Sequence, residues 1–373
     1  MKKHLLSTLF AALLAWGLPA APAAADTVTI GVMAPITGQW AAEGQDMAAI
    51  VRIMAEQFNA GSKDRKVEIV VADDGGDPRT AALAAQNLVA AGAVAVIGTY
   101  GSAITEASQD IYAEENVLQI ATGSTAIRLS EKNLPLFFRT CPRDDEQGRV
   151  MAEQVAGLGF KKVAVVHDNS SYAKGLAEEV RPLLAAKDIQ VVFYDAINPG
   201  DSDFTITLTK IRSAAPDLII FTGYYPQAAL LLRQKRDLNW PAPMIGGDAT
   251  NNSALVEIAG PAAAEGYYFI SPPGPGDLKS PQSLALLKVF QEKENRLPSS
   301  VWSMMAGDAF GVLAQAISGG AEAKGPALAA YLRQNLKGYD GLTGPISFNE
   351  KGDRLGDVYR LYQVDPSGGF VLK

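Results

Sequence analysis

The stretch AVAVIGTYGSAITEASQDIYAEE, residues 93–115, decides the fold. Ala93–Ile97 is an unbroken apolar run, the pattern of a strand covered on both faces. Gly98-Thr99-Tyr100-Gly101-Ser102 interrupts it, and a helix follows from Ile104 to about Glu115. Strand, tight loop and helix make half of a βαβ unit, and the order recurs on both sides. Upstream lie strands Val28–Val32 and Val67–Val71, a helix Glu43–Phe58, and a second helix opened by Asp77-Pro78 and reaching Ala91. After Arg143 the pattern restarts with helices 145–158, 172–186, 202–213 and 226–236. They alternate with strands Lys162–Val166, Ile189–Tyr194, Asp217–Phe221 and Met244-Ile245. Strands separated by helices of about 10–15 residues predict parallel sheets. Two such series, in a chain of 373 residues, predict two doubly wound α/β lobes.

Three breaks organise the rest. Arg139–Asp145 lies between the two series, Ser271–Gly276 is a proline/glycine cluster, and Gly338–Gly344 is rich in glycine. Helices at 281–294 and 301–318, with strands at Pro345–Phe348 and Val358–Gln363, require the chain to cross between lobes more than once.

Composition narrows the function. With 48% hydrophobic and 20% charged residues, the chain is neither disordered nor a polytopic membrane protein. A lone cysteine, Cys141, excludes an intramolecular disulfide framework and a cysteine-built zinc site, and two histidines do not furnish a metal centre. The formal charge of −7 gives no general basic surface for nucleic acid. Met1-Lys2-Lys3-His4, the apolar run Leu5–Leu18 and the small residues Pro19–Ala25 read as a secretory signal peptide, residues 1–25, cleaved before Asp26. The mature chain is then expected in the periplasm with a charge of −9.

Enzyme signatures are missing: neither G-x-x-x-x-G-K-[ST] nor G-x-S-x-G occurs. His167-Asp168 reads first as a strand-end histidine with a loop aspartate. Four loops after strands carry more information, because ligands of open α/β sheets bind beyond the carboxyl ends of the strands. Gly98–Ser102 offers amides and the Ser102 hydroxyl at a helix N-terminus, suited to a carboxylate or to simple capping. Ala121–Thr125 is small and hydroxyl-rich, with Gly123, Ser124 and Thr125. Asp168–Tyr172 places a tyrosine at a helix start. Gly223-Tyr224-Tyr225 is followed at Gly246-Gly247-Asp248 by a carboxylate after a strand. Taken singly, each is as well explained by a turn, a cap or packing.

Together these segments resemble the periplasmic leucine/isoleucine/valine-binding proteins, the solute receptors of branched-chain amino acid ABC importers. The resemblance spans Ile30–Gly44 (IGVMAPITGQWAAEG), Asp73–Pro78 (DDGGDP), Ser108–Glu114 (SQDIYAE), Val165–Ala177 (VVHDNSSYAKGLA), Thr222–Tyr225 and Gly344–Asp353 (GPISFNEKGD). It implies a type I periplasmic-binding-protein fold: two lobes, 26–143 plus 272–347 and 144–271 plus 348–373, joined by a three-crossing hinge. It also implies that Ser102, Gly123 and Thr125, with Ser124 beside them, hold an amino-acid carboxylate and part of its ammonium. Asp248 would pair with the ammonium, and Tyr172 and Tyr224 would close from the far lobe. No cofactor, metal or covalent chemistry is implied. The expected partners are an aliphatic amino acid and an inner-membrane ABC permease, and the protein is expected to be a monomer. A receptor of the same fold for an amide, urea or aromatic acid is the alternative.

Two positions depart from the resemblance. Gly76 and Gly101 stand where some members carry a disulfide. Glu43 stands before Gly44, where an aromatic residue usually covers the ligand. Glu43 either turns to solvent or contacts a polar group of the ligand, and the choice bears on selectivity.

Overall fold

The computed structural model describes residues 26–373, so the signal-peptide reading of residues 1–25 lies outside the described residues. The first sheet contains β1 (Asp26–Ala34), β2 (Arg65–Asp73), β3 (Ala95–Ile97), β4 (Leu118–Ala121) and β5 (Phe137–Arg139). All are parallel, in the order β2-β1-β3-β4-β5. Connecting them are α1 (Ala41–Gly61), α2 (Pro78–Ala90), α3 (Ser102–Glu114) and the single turn α4 (Arg128–Glu131). Strand order reverses between β1 and β3, which opens a crevice at their carboxyl ends. α3 begins in that crevice.

The second sheet repeats the plan with β6 (Lys162–His167), β7 (Gln190–Ala196), β8 (Leu218–Phe221), β9 (Met244–Gly246) and β10 (Tyr268–Ser271). Its helices are α5 (Asp144–Gly157), α6 (Ser171–Ala185), α7 (Thr205–Ser213), α8 (Tyr225–Asp237) and the short α9 (Ala254–Ala259) and α10 (Pro261–Ala264). The chain then returns to the first sheet. There α11 (Pro281–Glu294) and α12 (Val301–Ser318) pack against α1, and α13 (Gly325–Gln334) packs against β4. A hairpin, β11 (Tyr339–Gly341) and β12 (Gly344–Ile346), follows. Finally β13 (Arg360–Val364) extends the second sheet antiparallel to β10, and β14 (Phe370–Leu372) pairs antiparallel with β13. Its order is β14-β13-β10-β9-β8-β6-β7.

Local chemistry sets several helix starts. Asp77 accepts the Arg79 N–H at 2.9 Å with Pro78 in the first turn, and Ser170 accepts the Ala173 N–H at 3.2 Å. α7 starts at Thr205 rather than at residue 202, and just ahead of it the Asp203 carboxylate accepts the Thr205 N–H at 2.9 Å. The sequence pattern does not mark β4, β5 or β10. Each is only three or four residues long, and buried Gln119 and Arg139 interrupt β4 and end β5. Pairing with neighbours makes them strands, which no local run of β-branched residues announces.

The connections between sheets run at 140–143, at 272–280 and between β12 and β13. The last of these first stays on the edge of β5: Arg139 bridges Asp353, and Phe348 bridges Arg354. Here the Arg139 Nε meets Asp353 at 2.6 Å, and Arg143 reaches the same carboxylate at 3.0 Å. Arg354 donates to the Thr140 carbonyl at 3.1 Å. A dense set of buried charges therefore ties two of the connections together.

Candidate functional site

The loop after β3 forms one wall. Gly98 has φ +124°, and a Cβ there would lie 2.0 Å from the Met33 carbonyl oxygen, so only glycine lets the loop pass over the end of β1. Beyond it, Ser102 opens α3, where the first amides have no intrahelical acceptor. The Ser102 hydroxyl is buried and accepts the Ala126 N–H at 3.2 Å, leaving its own proton to donate. Buried beside it, the Thr125 hydroxyl and the Tyr100 phenol have no protein partner. Gly123 and Ser124 are tied into the loop. The Gly123 N–H donates to the Thr99 carbonyl at 3.1 Å, and a Cβ on Gly123 would lie 2.8 Å from the Tyr100 ring. The Ser124 hydroxyl turns inward to Thr105 at 2.8 Å and to the Thr99 carbonyl at 3.2 Å. Arg139 holds the Ser124 and Ala126 carbonyls at 3.1 and 3.0 Å.

The opposite wall centres on Asp248, just past β9. Its two oxygens accept the Tyr172 hydroxyl at 2.9 Å and the Tyr359 hydroxyl at 2.7 Å. Its N–H donates to the Gln147 side chain at 2.8 Å, and Gln147 donates in turn to Asp144 at 2.9 Å. Gly247 permits this crowding: a Cβ there would fall 2.4 Å from the Tyr172 hydroxyl. The second Asp144 oxygen has no partner. Burial lifts the Asp248 pKa to about 6, against the hydrogen bonds from Tyr359 and Tyr172. Asp144 is carried well above the ordinary carboxylate range by burial and by the Asp248 charge beside it. Among the described residues neither carboxylate forms an ion pair. Two buried acids without an ion pair thus lie beside the hydroxyl-bearing loop after β4, where the Thr125 hydroxyl approaches Asp144 and opposes the rise of its pKa, an arrangement fitted to a small cation that also carries an anionic group.

Aromatic rings close the space between the walls. Trp40 lies 4.3 Å from the Tyr224 ring and 5.4 Å from that of Tyr100, while Tyr172 lies 5.3 Å from Tyr224. Trp40 also accounts for both glycines noted above. A Cβ on Gly76 would lie 2.8 Å from the indole, and one on Gly101 3.1 Å, so a bulkier pair would displace the ring. The aromatic cover comes from three residues upstream of Glu43.

Glu43 itself is fully buried, which corrects the solvent-facing option. Asn252 donates to one of its oxygens at 2.6 Å and Ser300 donates to the other. Burial pushes its pKa to about 7, against those hydrogen bonds. The sheets also meet through the Tyr225 hydroxyl and the Gln39 carbonyl at 2.9 Å, and through Ser171 and Glu106 at 2.9 Å. The cleft is closed.

His167 and Asp168 form no catalytic pair. His167 Nδ1 accepts the Asn169 N–H and Asp168 accepts the Ser170 N–H, each at 3.0 Å. Among the described residues no group of three or more His, Cys, Asp or Glu is placed to hold a metal. Sequence reasoning missed Trp40, Tyr100, Asp144, Gln147 and Tyr359. The first four lie in or beside the loops and breaks named above, and Tyr359 falls in the strand expected at Val358–Gln363, but it reaches the site only because β13 returns alongside β10.

The periplasmic binding protein family model matches residues 27–369. The leucine-, isoleucine-, valine-, threonine- and alanine-binding protein of Pseudomonas aeruginosa is 33% identical over 361 residues, covering 96% of this chain and 95% of that one. The Leu/Ile/Val-binding protein BraC3 of Rhizobium johnstonii is 34% identical over 361 residues, covering 96% and 97%. Among solved structures, the leucine-binding protein LivK of Thermotoga maritima superposes with a TM-score of 0.86 at 28% identity, covering 93% of this chain and 97% of that one. The branched-chain amino acid transporter substrate-binding protein LivJ of Streptococcus pneumoniae, in complex with isoleucine, gives 0.84 at 27%, covering 93% and 100%. With the family model matched over nearly all of the described residues, and relatives above 30% identical along the whole length, the chain belongs to the periplasmic binding protein family.

Proposed function

We propose that this binding protein captures a free α-amino acid, aliphatic ones first, and hands it to an inner-membrane ABC permease. The observation that carries the reading is the buried Asp248, held by two tyrosine hydroxyls and without an ion pair among the described residues. In that reading Ser102, Thr125 and the first amides of α3 take the carboxylate. Asp248, with Asp144 behind it, takes the ammonium, and the rings of Trp40, Tyr100 and Tyr224 cover the side chain. Because the two charges of the zwitterion are matched by groups on different lobes, ligand binds the closed form more tightly than the open one and closure follows. The lobes are assigned as 26–143 plus 272–347 and 144–271 plus 348–373, with 348–354 riding on the first lobe's edge. Export with cleavage before Asp26, and a monomeric state, belong to the same reading.

Calorimetry with leucine, leucinamide and 4-methylpentanoate tests it. Leucine is expected to bind, and each analogue, lacking one charge of the zwitterion, to bind at least roughly tenfold more weakly. Equal affinity for the ligand without an ammonium would overturn the reading in favour of an amide or organic-acid receptor.

A further inference from the structure

We infer that Glu43 is the latch of the closed form, a positioning residue that sets how long a ligand is held by joining the lobes through Asn252. The inference rests on the receptor reading above. Glu43 lies in the first turn of α1, on the first lobe. Asn252 follows β9 on the second lobe, four residues after Asp248. Each carboxylate oxygen has one donor: Ser300, at the N-terminus of α12 on the same side as α1, and Asn252 from across the cleft. Asn252 is itself fixed, its side-chain oxygen accepting the Ala254 N–H at 2.8 Å. Opening the cleft would keep the Ser300 bond and break the Asn252 bond.

Position makes this contact matter. Of the other bonds between the lobes, Asp144 N–H to the Thr125 carbonyl and the Tyr362 hydroxyl to Asp277 lie beside the connecting segments, and those of Gln39, Glu106 and the Ser253 N–H with the Ser299 carbonyl involve exposed or half-exposed groups that water can serve, whereas Glu43 and Asn252 are both fully buried. A buried bond is expensive to leave half-made. Asn252 also shares a short segment with Asp248, so the movement that brings Asp248 onto an ammonium brings Asn252 onto Glu43. Nearby, Asp46 is taken by Arg296 at 2.5 Å and Ser299 at 2.7 Å, and the Glu43 charge helps to raise the pKa values of the Tyr100 and Tyr225 phenols. None of these supplies Glu43 with a cation.

Stopped-flow tryptophan fluorescence with leucine, isoleucine and valine tests the latch in the full chain and in Glu43→Ala, Asn252→Ala, the double variant and Glu43→Gln. Dissociation from either alanine variant is expected to quicken roughly tenfold to a hundredfold, by the same factor for all three ligands, with association unchanged. The double variant should be no faster than the worse single one, and Glu43→Gln, which still offers Asn252 an oxygen, should stay near wild type. Should Glu43→Ala fail to fold, Asn252→Ala against Glu43→Gln decides the question alone. A loss confined to one ligand, an additive double variant or unchanged dissociation would each overturn the latch. A wild-type protein that takes up none of the three amino acids would instead overturn the receptor reading beneath it.

Discussion

Buried carboxylates occur in two regions of this molecule, and they behave oppositely. At the inter-lobe connections, burial works to raise the Asp353 pKa, but Arg139, through charge and hydrogen bond, carries it below the usual carboxylate value. In the cleft no cation is paired with Asp248, Asp144 or Glu43; the Arg139 charge opposes the rise at Asp144 without cancelling it, and burial carries all three upward. Asp308 is intermediate, with Arg354 3.9 Å away and its pKa lifted by burial to about 6. The same side chain is therefore held charged where the chain supplies its own cation, and pushed toward its neutral form where it does not. A carboxylate kept charged and buried without a counter-ion costs stability, which a proton or a cation relieves.

Removing a cation from the first region should have the largest effect. Arg139→Met strips Asp353 of one partner and frees two loop carbonyls, and should lower the unfolding free energy in urea by about 3–5 kcal/mol. A loss below about 1 kcal/mol would erase the contrast. Asp248→Asn should do the reverse. Ligand-free stability should stay within about 1 kcal/mol, while calorimetric affinity for leucine falls by about 2–5 kcal/mol.

Titration separates the regions next. In the closed cleft burial raises the Asp248 pKa to about 6, and an ammonium must lower it, so binding below that value releases a proton. Affinity should be flat above about pH 6 and fall as pH drops through it, roughly tenfold by pH 5, a slope that Asp248→Asn removes. Asp353, with its pKa depressed, contributes stability that is present above the ordinary value of 3.8 and is lost only as pH falls through its lowered value. Thermal melts should therefore show its contribution persisting across the range where affinity is already falling. The smallest effect is expected at the aromatic cover. Trp40→Phe, which loosens the contact with Tyr224, should weaken leucine binding by about 0.5–1.5 kcal/mol in the same titration.

Legibility in the sequence followed the distance over which each feature is encoded. The first three strands and the helices they feed were readable from local runs, as were Ser102, Thr125 and Asp248 at strand ends. Ser124 was legible as part of a hydroxyl-rich loop but not as an inward-facing residue, because its partners Thr99 and Thr105 lie on the preceding loop and helix. Glu43 was singled out as unusual, yet its environment depends on Asn252 and Ser300, more than 200 residues away.

What the sequence by itself determined was the alternation of strand and helix, the loops at the carboxyl ends of strands, and the residue types offered there. These are short-range properties, set by period, capping and turn chemistry. Only the tertiary structure decided which acids acquired counter-ions. Arg139 meets Asp353 because the chain returns along β5 after 214 residues, and Tyr359 meets Asp248 because β13 pairs with β10. It also joined the two departures into one. Gly76 and Gly101 are small because Trp40 rests on both, and that ring packs on Tyr100 and Tyr224 while Glu43, three residues on, accepts from Asn252. A pKa or a ring's place depends on what packs around it, and that is a property of the folded chain.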